Sequence, residues 1–281
     1  MSTESGHWYD KDGKPCHTQP TKKGAKSLTR STTITDARKM NLLPSVSGIT
    51  GMMSNPILDR YKQRRVAEEA FARPPIGDET KDEYTRYLLD KAGEQTRDAA
   101  DLGTEIHALL EAWGKGTPVD PAHMLTLPST GERVPATTVI APVVKLIADL
   151  GLQPRGHECV VVNARHGYAG TTDLPWATKD YYGILDFKSA KTTPEEPIAP
   201  RQAYAMQIAA YIAAYWGPDA DCPIGDKAVG YNLYISTTEP GRVELVSYGP
   251  TELRAEWEAF QACLTLWRHK NKYDPRNGGT A

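Results

Sequence analysis

Two aspartates and a lysine share one short stretch, AGTTDLPWATKDYYGILDFKSAK (169–191): Asp173, then Asp186 thirteen positions on, then Lys188 two further. Side chains alternate faces along a strand, so Asp186 and Lys188 project together while Phe187 points the opposite way, into apolar packing. Paired strands lie ~4.8 Å apart, so an acid ending the first strand of a hairpin converges with one on the second. Asp173 is placed to do this. Two carboxylates held close repel unless a cation sits between them or one takes up a proton. A hard divalent ion such as Mg²⁺ or Mn²⁺ removes the conflict, because it takes oxygen ligands. A lysine ammonium beside such an ion can orient the water that attacks a phosphodiester. Taken alone, D-x-K is more often an ordinary exposed strand pair and Asp173 a turn residue, so the chemistry needs support from elsewhere in the chain.

Three features supply candidates. His107 lies in GTEIH, with Gly103 one turn earlier, and the missing side chain there lets another backbone or a ligand come close. A helical histidine by itself is usually a surface or satisfied core residue. Glu158 opens the strand before the hairpin and is either a further acid near the metals or an edge residue. Gln207 and Tyr211, four apart, share a helix face with Tyr204 and Tyr215. A glutamine on an alanine, isoleucine and tyrosine face is a candidate donor to a base or a catalytic group; its plainer reading is a boundary hydrogen bond.

The elements that must hold these residues follow from pattern. The chain has 281 residues, 40% of them hydrophobic, enough for one large domain with elaborations. Residues 1–43 read as a solvated basic arm, with eight Lys or Arg against four Asp or Glu up to Lys39. A single domain then spans 44–281, helical over 44–151 and with a catalytic sheet core over 152–281. Asn55 and Pro56 are a plausible N-cap and first residue for a helix over 56–72. Further helices are expected over 79–92 and 94–114, the latter burying Leu102, Ile106, Leu109 and Trp113. The proline-rich stretch 115–137 has no period and reads as a long loop, followed by a short apolar helix over 138–150. Three strands follow (158–163, 168–176, 181–190), then a helix over 201–217, two strands, and a last helix over 251–272 striped by Leu253, Trp257, Phe260, Leu264 and Trp267. This order predicts an α/β or α+β fold, a mixed sheet flanked by helices with a helical N-terminal elaboration.

The net charge of −2 excludes a global positive field, so any nucleic-acid contact must be a local patch. Four scattered cysteines, Cys16, Cys159, Cys222 and Cys263, suggest reduced thiols, and no run approaches the roughly 20 apolar residues of a membrane span. Both features point to a soluble, intracellular protein.

G-x-E-I-H on a helix, a Glu-bearing strand, G-x-x-D at 170–173, D-F-K at 186–188 and Q-x-x-x-Y at 207–211 occur in this order. The assembly resembles the PD-(D/E)XK nuclease superfamily, and within it the RecB-like exonucleases, which include phage recombination exonucleases and the mitochondrial genome-maintenance exonuclease. The resemblance spans about 44–215 and implies a restriction-endonuclease-like core. It implies that His107, Asp173 and Asp186 bind Mg²⁺ or Mn²⁺, two ions in all, helped by the Phe187 carbonyl. Lys188 would activate the water, Gln207 and Tyr211 would support the site, and Glu158 would be an auxiliary acid. LPSVSGIT resembles a phosphate-holding segment of phage members, which makes Ser45 and Ser47 candidates. Arg60, Lys62, Arg64 and Arg65, with Lys22, Lys23 and Lys26, could guide a DNA backbone. The spacing of Cys222 and Cys263 does not suit the iron–sulfur cluster of some relatives, and no phosphate loop of a helicase motor is present.

The implied activity is a metal-dependent DNA exonuclease acting on a single strand or duplex end, in phage-type recombination, replication or DNA degradation. Its setting would be the cytoplasm, including that of an infected host, with a single-strand annealing or other recombination protein as a possible partner. A structure-specific endonuclease and a catalytically idle DNA-end-binding accessory protein are the alternatives.

Overall fold

A computed structural model describes residues 7–21, 27–53, 56–198 and 200–277. Lys22, Lys23, Lys26 and the expected Asn55 cap lie outside the described residues.

The N-terminal segment is not a solvated arm from residue 7 onward. It comprises β1 (Trp8–Tyr9), a hairpin of β2 (Thr18–Pro20) and β3 (Thr29–Ser31), α1 (Ile34–Met40) and β4 (Leu43–Pro44), with β1 pairing antiparallel to β4. Trp8 and Tyr9 are buried, and the Trp8 ring packs edge-on to Trp267 and Tyr273 at the far end of the chain. Burying each such side chain stabilises by about 1.5–3 kcal/mol, which offsets the cost of ordering a polar segment. α1 starts at a Thr33–Asp36 capping box.

α2 (Val46–Thr50) and α3 (Pro56–Ala72) lead into α4 (Lys81–Gly114), a single 34-residue helix where two were expected. Thr80 and Glu83 cap its start reciprocally. Gly93, the expected break, is absorbed: a helical glycine costs only ~1 kcal/mol, and the Arg97 guanidinium lies 2.9 Å from where a Cβ would stand. Leu102, Ile106 and Leu110 form the buried stripe, with Leu109 and Trp113 packed at its margin.

The proline-rich stretch also departs from expectation. It contains a hairpin of β5 (Met124–Thr126) and β6 (Arg133–Pro135) whose Leu125, Leu127 and Val134 are buried against α4 and the following α5 (Ala136–Asp149). Its alternation is too short to be seen as a strand period without that partner surface.

The remaining elements are β7 (Gln153–Pro154), β8 (Cys159–Asn163), β9 (Tyr168–Thr172), β10 (Leu174–Ala177), β11 (Tyr182–Ala190), α6 (Gln202–Tyr215), β12 (Ala228–Ser236), β13 (Val243–Tyr248) and α7 (Pro250–Asn271). The expected strand over 168–176 is two strands, divided at Asp173: β9 pairs with β8, and β10 joins the main sheet. That sheet runs β13-β12-β11-β10-β7; β11 and β12 are parallel, joined by the α6 crossover, and the other pairs are antiparallel. The fold is therefore a mixed α+β one, with helices on both faces of a mixed sheet. One core places Ile184 against α2, α6 and α7, and the other places Leu185 and Phe187 against α4, α5 and the β5–β6 hairpin. β11 thus alternates Ile184, Asp186 and Lys188 toward α6 with Leu185, Phe187 and Ser189 toward α4. All five core residues read from the α7 stripe are buried. Among the described residues no helix is long and apolar enough to cross a membrane, and all four cysteines are free thiols.

Candidate metal centre

The β10–β11 register sets Leu174 opposite Leu185, so Asp173, one residue before β10, arrives beside Asp186 and Phe187. The Phe187 amide donates to Asp173 Oδ2 at 2.6 Å, which locks the carboxylate and leaves Oδ1 to face the cleft. There it meets His107 Nδ1 at 3.6 Å, and the same nitrogen lies 3.9 Å from Glu158 Oε1. Atoms from His107, Glu158 and Asp173 lie within 4.8 Å of one another, a spacing at which a single ion could be shared. Helix α4 brings its imidazole this close because Gly103 lets it lie against β11: an added Cβ would stand 2.6 Å from Ser189 Oγ. A cleft of about 420 Å³ opens here, lined by Gly103, Thr104, His107, Glu158, Asp173 and Ser189.

Asp186 is 3% exposed and stands at the edge of this group. Its Oδ2 receives both the Lys188 ammonium, at 2.5 Å, and the Asn232 side-chain amide, at 3.1 Å. The expectation that Asp186 would sit with His107 and Asp173 is met only in part, since Glu158 takes the third place in the tight cluster and the Lys188 charge serves as counter-ion to Asp186. Lys188 Nζ also donates to Gln207 Oε1 at 3.1 Å and lies 4.6 Å from the Tyr204 ring centroid. Gln207 Nε2 then donates to Tyr211 OH at 3.0 Å. Tyr211 itself fits because Gly170 opposite it has no side chain; a Cβ there would lie 2.7 Å from the ring. One connected set of contacts thus joins seven expected site residues, His107, Glu158, Asp173, Asp186, Lys188, Gln207 and Tyr211, with Phe187 contributing its backbone.

The electrostatics follow from burial and neighbours. Burial works against a charged His107, but the Asp173 and Glu158 carboxylates and the Asp186 charge outweigh it and lift the imidazole to about 10. Burial raises the Asp186 carboxyl, to about 6, against the pull of Lys188 and with added repulsion from Asp173. Asp173 is also opposed by burial, yet is held below its ordinary value by His107, Lys188 and the Phe187 amide. Lys188 loses by burial and gains more from Asp186 and Asp173, so it stays charged.

Glu158 adopts a left-handed backbone, φ 48°, and its amide donates to the Asp173 carbonyl at 2.9 Å. For a non-glycine residue this conformation costs of order 1 kcal/mol, and such strain gathers at functional positions. Sequence reasoning missed Asn232, fully buried in β12 directly across from Asp186, and Tyr248, which donates to Asn232 Oδ1 at 2.8 Å. An asparagine inside the apolar run AVGYNLYIS was the available signal.

The expected DNA contacts fare less well. Ser45 is buried and its hydroxyl caps α2 by accepting from the Gly48 amide at 3.0 Å, which makes it a helix cap with little left to offer a phosphate. Ser47 is exposed and meets Ser45 Oγ at 3.1 Å. On α3, Arg64 pairs with Glu68, and Arg65 with Glu68 and Glu69. Arg60 and Lys62 are exposed on the same helix. The basic track is half neutralised by the helix's own i,i+3 and i,i+4 acids.

No family model matches this chain, and no curated protein matches it. Among solved structures, the one described as "Crystal structure of SSO0001" covers 73% of this chain and 84% of its own, at 11% identity and a TM-score of 0.28. A likeness that low carries no argument about fold or function.

Proposed function

We propose that this protein is a metal-dependent deoxyribonuclease on the PD-(D/E)XK plan, a RecB-like exonuclease hydrolysing phosphodiester bonds from a DNA end. The observation that carries the reading is the convergence of His107, Glu158 and Asp173 on one cleft, with the buried Asp186 beside them on β11 and the Lys188 ammonium 2.5 Å from it. The donor set is mostly carboxylate oxygen with one imidazole, which fits Mg²⁺ or Mn²⁺. His107, Glu158, Asp173 and Asp186, with the Phe187 carbonyl, would hold it. When bound, such an ion polarises a phosphoryl oxygen and makes water a nucleophile near neutral pH.

The residues themselves have distinct tasks. Asp173 is aimed by the Phe187 amide, which leaves its Oδ1 toward His107, and Asp186 is held in place by Asn232 and Lys188. Lys188 brings a fixed positive charge to the place where negative charge grows on the phosphoryl group. Gln207 holds that ammonium on line, and Tyr211 holds Gln207. The Tyr204 face and the buried wall exclude water from the far side of Lys188.

Cleavage of end-labelled DNA with Mg²⁺ or Mn²⁺ tests the proposal. Asp186→Ala and Lys188→Ala should each lose about 10²-fold or more in rate while retaining most DNA binding, and EDTA should silence the wild type. Wild-type activity in either variant would end the assignment. Rapid cutting of a closed single-stranded circle would make the enzyme an endonuclease, and a failure to take up Mn²⁺ in calorimetry would favour a binding role on the same scaffold.

A further inference from the structure

The first turn of α6 faces the same end of the sheet as Lys188, and it gathers polar groups that the site described above does not use. Tyr234 on β12 is the register partner of Lys188 on the parallel strand β11, so the two side chains lie side by side and both reach toward α6. Tyr234 is 3% exposed, its ring lies 6.3 Å from that of Tyr204, and its hydroxyl has no hydrogen-bond partner. The Arg201 backbone amide lies beside that hydroxyl, outside hydrogen-bonding geometry. A buried hydroxyl without a partner is costly and uncommon, so its retention calls for a ligand.

Arg201 is the N-cap residue of the 14-residue α6, and no side chain caps the first-turn amides. Its guanidinium reaches the Tyr204 hydroxyl at 3.3 Å and sits 5.7 Å from that ring's centroid, and no carboxylate among the described residues is paired with it. Two acids face the same way: Asp186, paired with Lys188, and Glu244, opposite Tyr234 on β13. Both Glu244 oxygens are engaged, Oε1 by Arg242 and Oε2 by the Ile198 amide at 2.9 Å. With Glu244 engaged and Lys188 matched by Asp186, the local field is set by Arg201 and the helix N-terminus.

We infer that the N-terminus of α6, the Arg201 guanidinium and the Tyr234 hydroxyl form a subsite for a backbone phosphate of the nucleic-acid strand, next to the phosphate that Lys188 addresses. The inference rests on the nuclease reading and specifies how that site grips its substrate. First-turn amides without a side-chain cap favour an anion, the Tyr204 amide excepted because it donates to the Arg201 carbonyl at 2.9 Å. A guanidinium matches phosphate oxygens with two parallel donors, and the tyrosine hydroxyl supplies a third direction. Tyr204, stacked under both Lys188 and Arg201, keeps the two cations apart and fixes the spacing of the phosphates they would hold.

The test uses the full chain with Tyr234→Phe and Arg201→Gln, and four readouts: anisotropy of a labelled single-stranded oligonucleotide with Ca²⁺ in place of Mg²⁺, steady-state cleavage, Mn²⁺ calorimetry and thermal melting. Each variant should weaken oligonucleotide binding about tenfold, the scale of one hydrogen bond to a charged group, and raise KM similarly. Mn²⁺ affinity and kcat should stay near wild type. Tyr234→Phe should melt at the same or a higher temperature, since it removes an orphaned hydroxyl. Arg201→Lys should recover part of the binding that Arg201→Gln loses. If both variants bind the oligonucleotide as the wild type does, or if Tyr234→Phe loses stability together with binding, the subsite is refuted. A wild type that takes up Mn²⁺ and cleaves while the variants are unchanged would leave the nuclease reading standing without the subsite. A wild type that neither cleaves nor takes up Mn²⁺ would remove both.

Discussion

Replacing Lys188 with methionine should unfold the balance of charge at the site in a way that depends on pH. The ammonium lies 2.5 Å from Asp186 Oδ2, and both side chains are largely buried. Breaking a buried pair by removing one partner costs about 3–5 kcal/mol, because the remaining charge has no compensation. Asp186 has an escape, since burial and Asp173 already push its carboxyl up to about 6 even with Lys188 present. An acid whose folded value is raised has its favourable contribution in full below the unfolded value near 3.8, and loses it as pH rises through the folded value. Loss of the ammonium moves that folded value higher still, and each unit of that rise below pH 8 adds ~1.4 kcal/mol to the penalty at pH 8. At pH 5 a proton replaces the lysine. Urea unfolding in EDTA should therefore show Lys188→Met destabilised by about 3 kcal/mol at pH 8 and by about 1 kcal/mol at pH 5. The double variant Lys188→Met, Asp186→Asn should recover most of the loss at pH 8, because it leaves no buried charge at either position. Equal penalties at the two pH values, or no recovery in the double variant, would refute the electrostatic account.

Metal uptake should release a proton, since His107 is held as imidazolium, at about 10, by the carboxylates it faces and must become neutral to act as a ligand. Mn²⁺ calorimetry in buffers of different ionisation enthalpy measures this, and the affinity should rise with pH; a titration with no proton release would remove His107 from the ligand set. Because its folded value is raised, His107 also stabilises the metal-free protein below its unfolded value near 6.5, an effect lost toward pH 10, and His107→Gln should abolish that alkaline decline in melting temperature. Gly103→Ala would place a Cβ 2.6 Å from Ser189 Oγ, and should cost about 1–3 kcal/mol by overpacking while weakening Mn²⁺ binding through the displaced His107; adding Ser189→Gly should restore both. Glu158→Gly should relieve the left-handed φ of 48° and raise stability by about 1 kcal/mol while lowering Mn²⁺ affinity, a trade that a purely structural glutamate would not show.

What was legible in the sequence was the part fixed by local periodicity. Strand alternation placed Asp186 and Lys188 on one face and Phe187 on the other, and the spacing of Leu253, Trp257, Phe260, Leu264 and Trp267 marked the buried stripe of α7. The departures come from contacts distant in sequence. Gly93 reads as a break in any local scheme, but α4 runs through it because Leu102, Ile106 and Leu110 anchor the helix from one side. Trp8 and Tyr9 look like residues of a polar arm until Trp267 and Tyr273 are brought to them from the other end of the chain. The hairpin inside the proline-rich stretch depends on α4 and α5 to cover Leu125 and Val134. At the site, Glu158 could be named as a nearby acid, yet its entry into the tight cluster depends on a left-handed turn that no residue type announced. Asn232 was hidden because its role is defined only by the parallel register with Asp186.

The division of labour among carboxylate oxygens is what separates this site from an ordinary buried ion-pair network. Asp173 spends Oδ2 on the Phe187 amide and turns Oδ1 to the cleft, and Asp186 spends Oδ2 on Lys188 and Asn232. In a network built for stability alone, both oxygens of a buried acid would be matched by protein donors, because each unmatched lone pair loses hydration without return. Here three acids meet two cationic side chains, His107 and Lys188, and two of the acids, Asp173 and Glu158, line the cleft. A polyanion would be repelled by such acids unless a cation intervened. Adding Mn²⁺ should therefore tighten oligonucleotide binding by the wild type and leave Asp173→Asn, where one of the repelling charges is already gone, nearly unaffected. The measurement is anisotropy with and without the ion, made with Lys188→Met also present to block cleavage. An equal gain in both proteins would mean that the ion acts on the DNA and not on the acids.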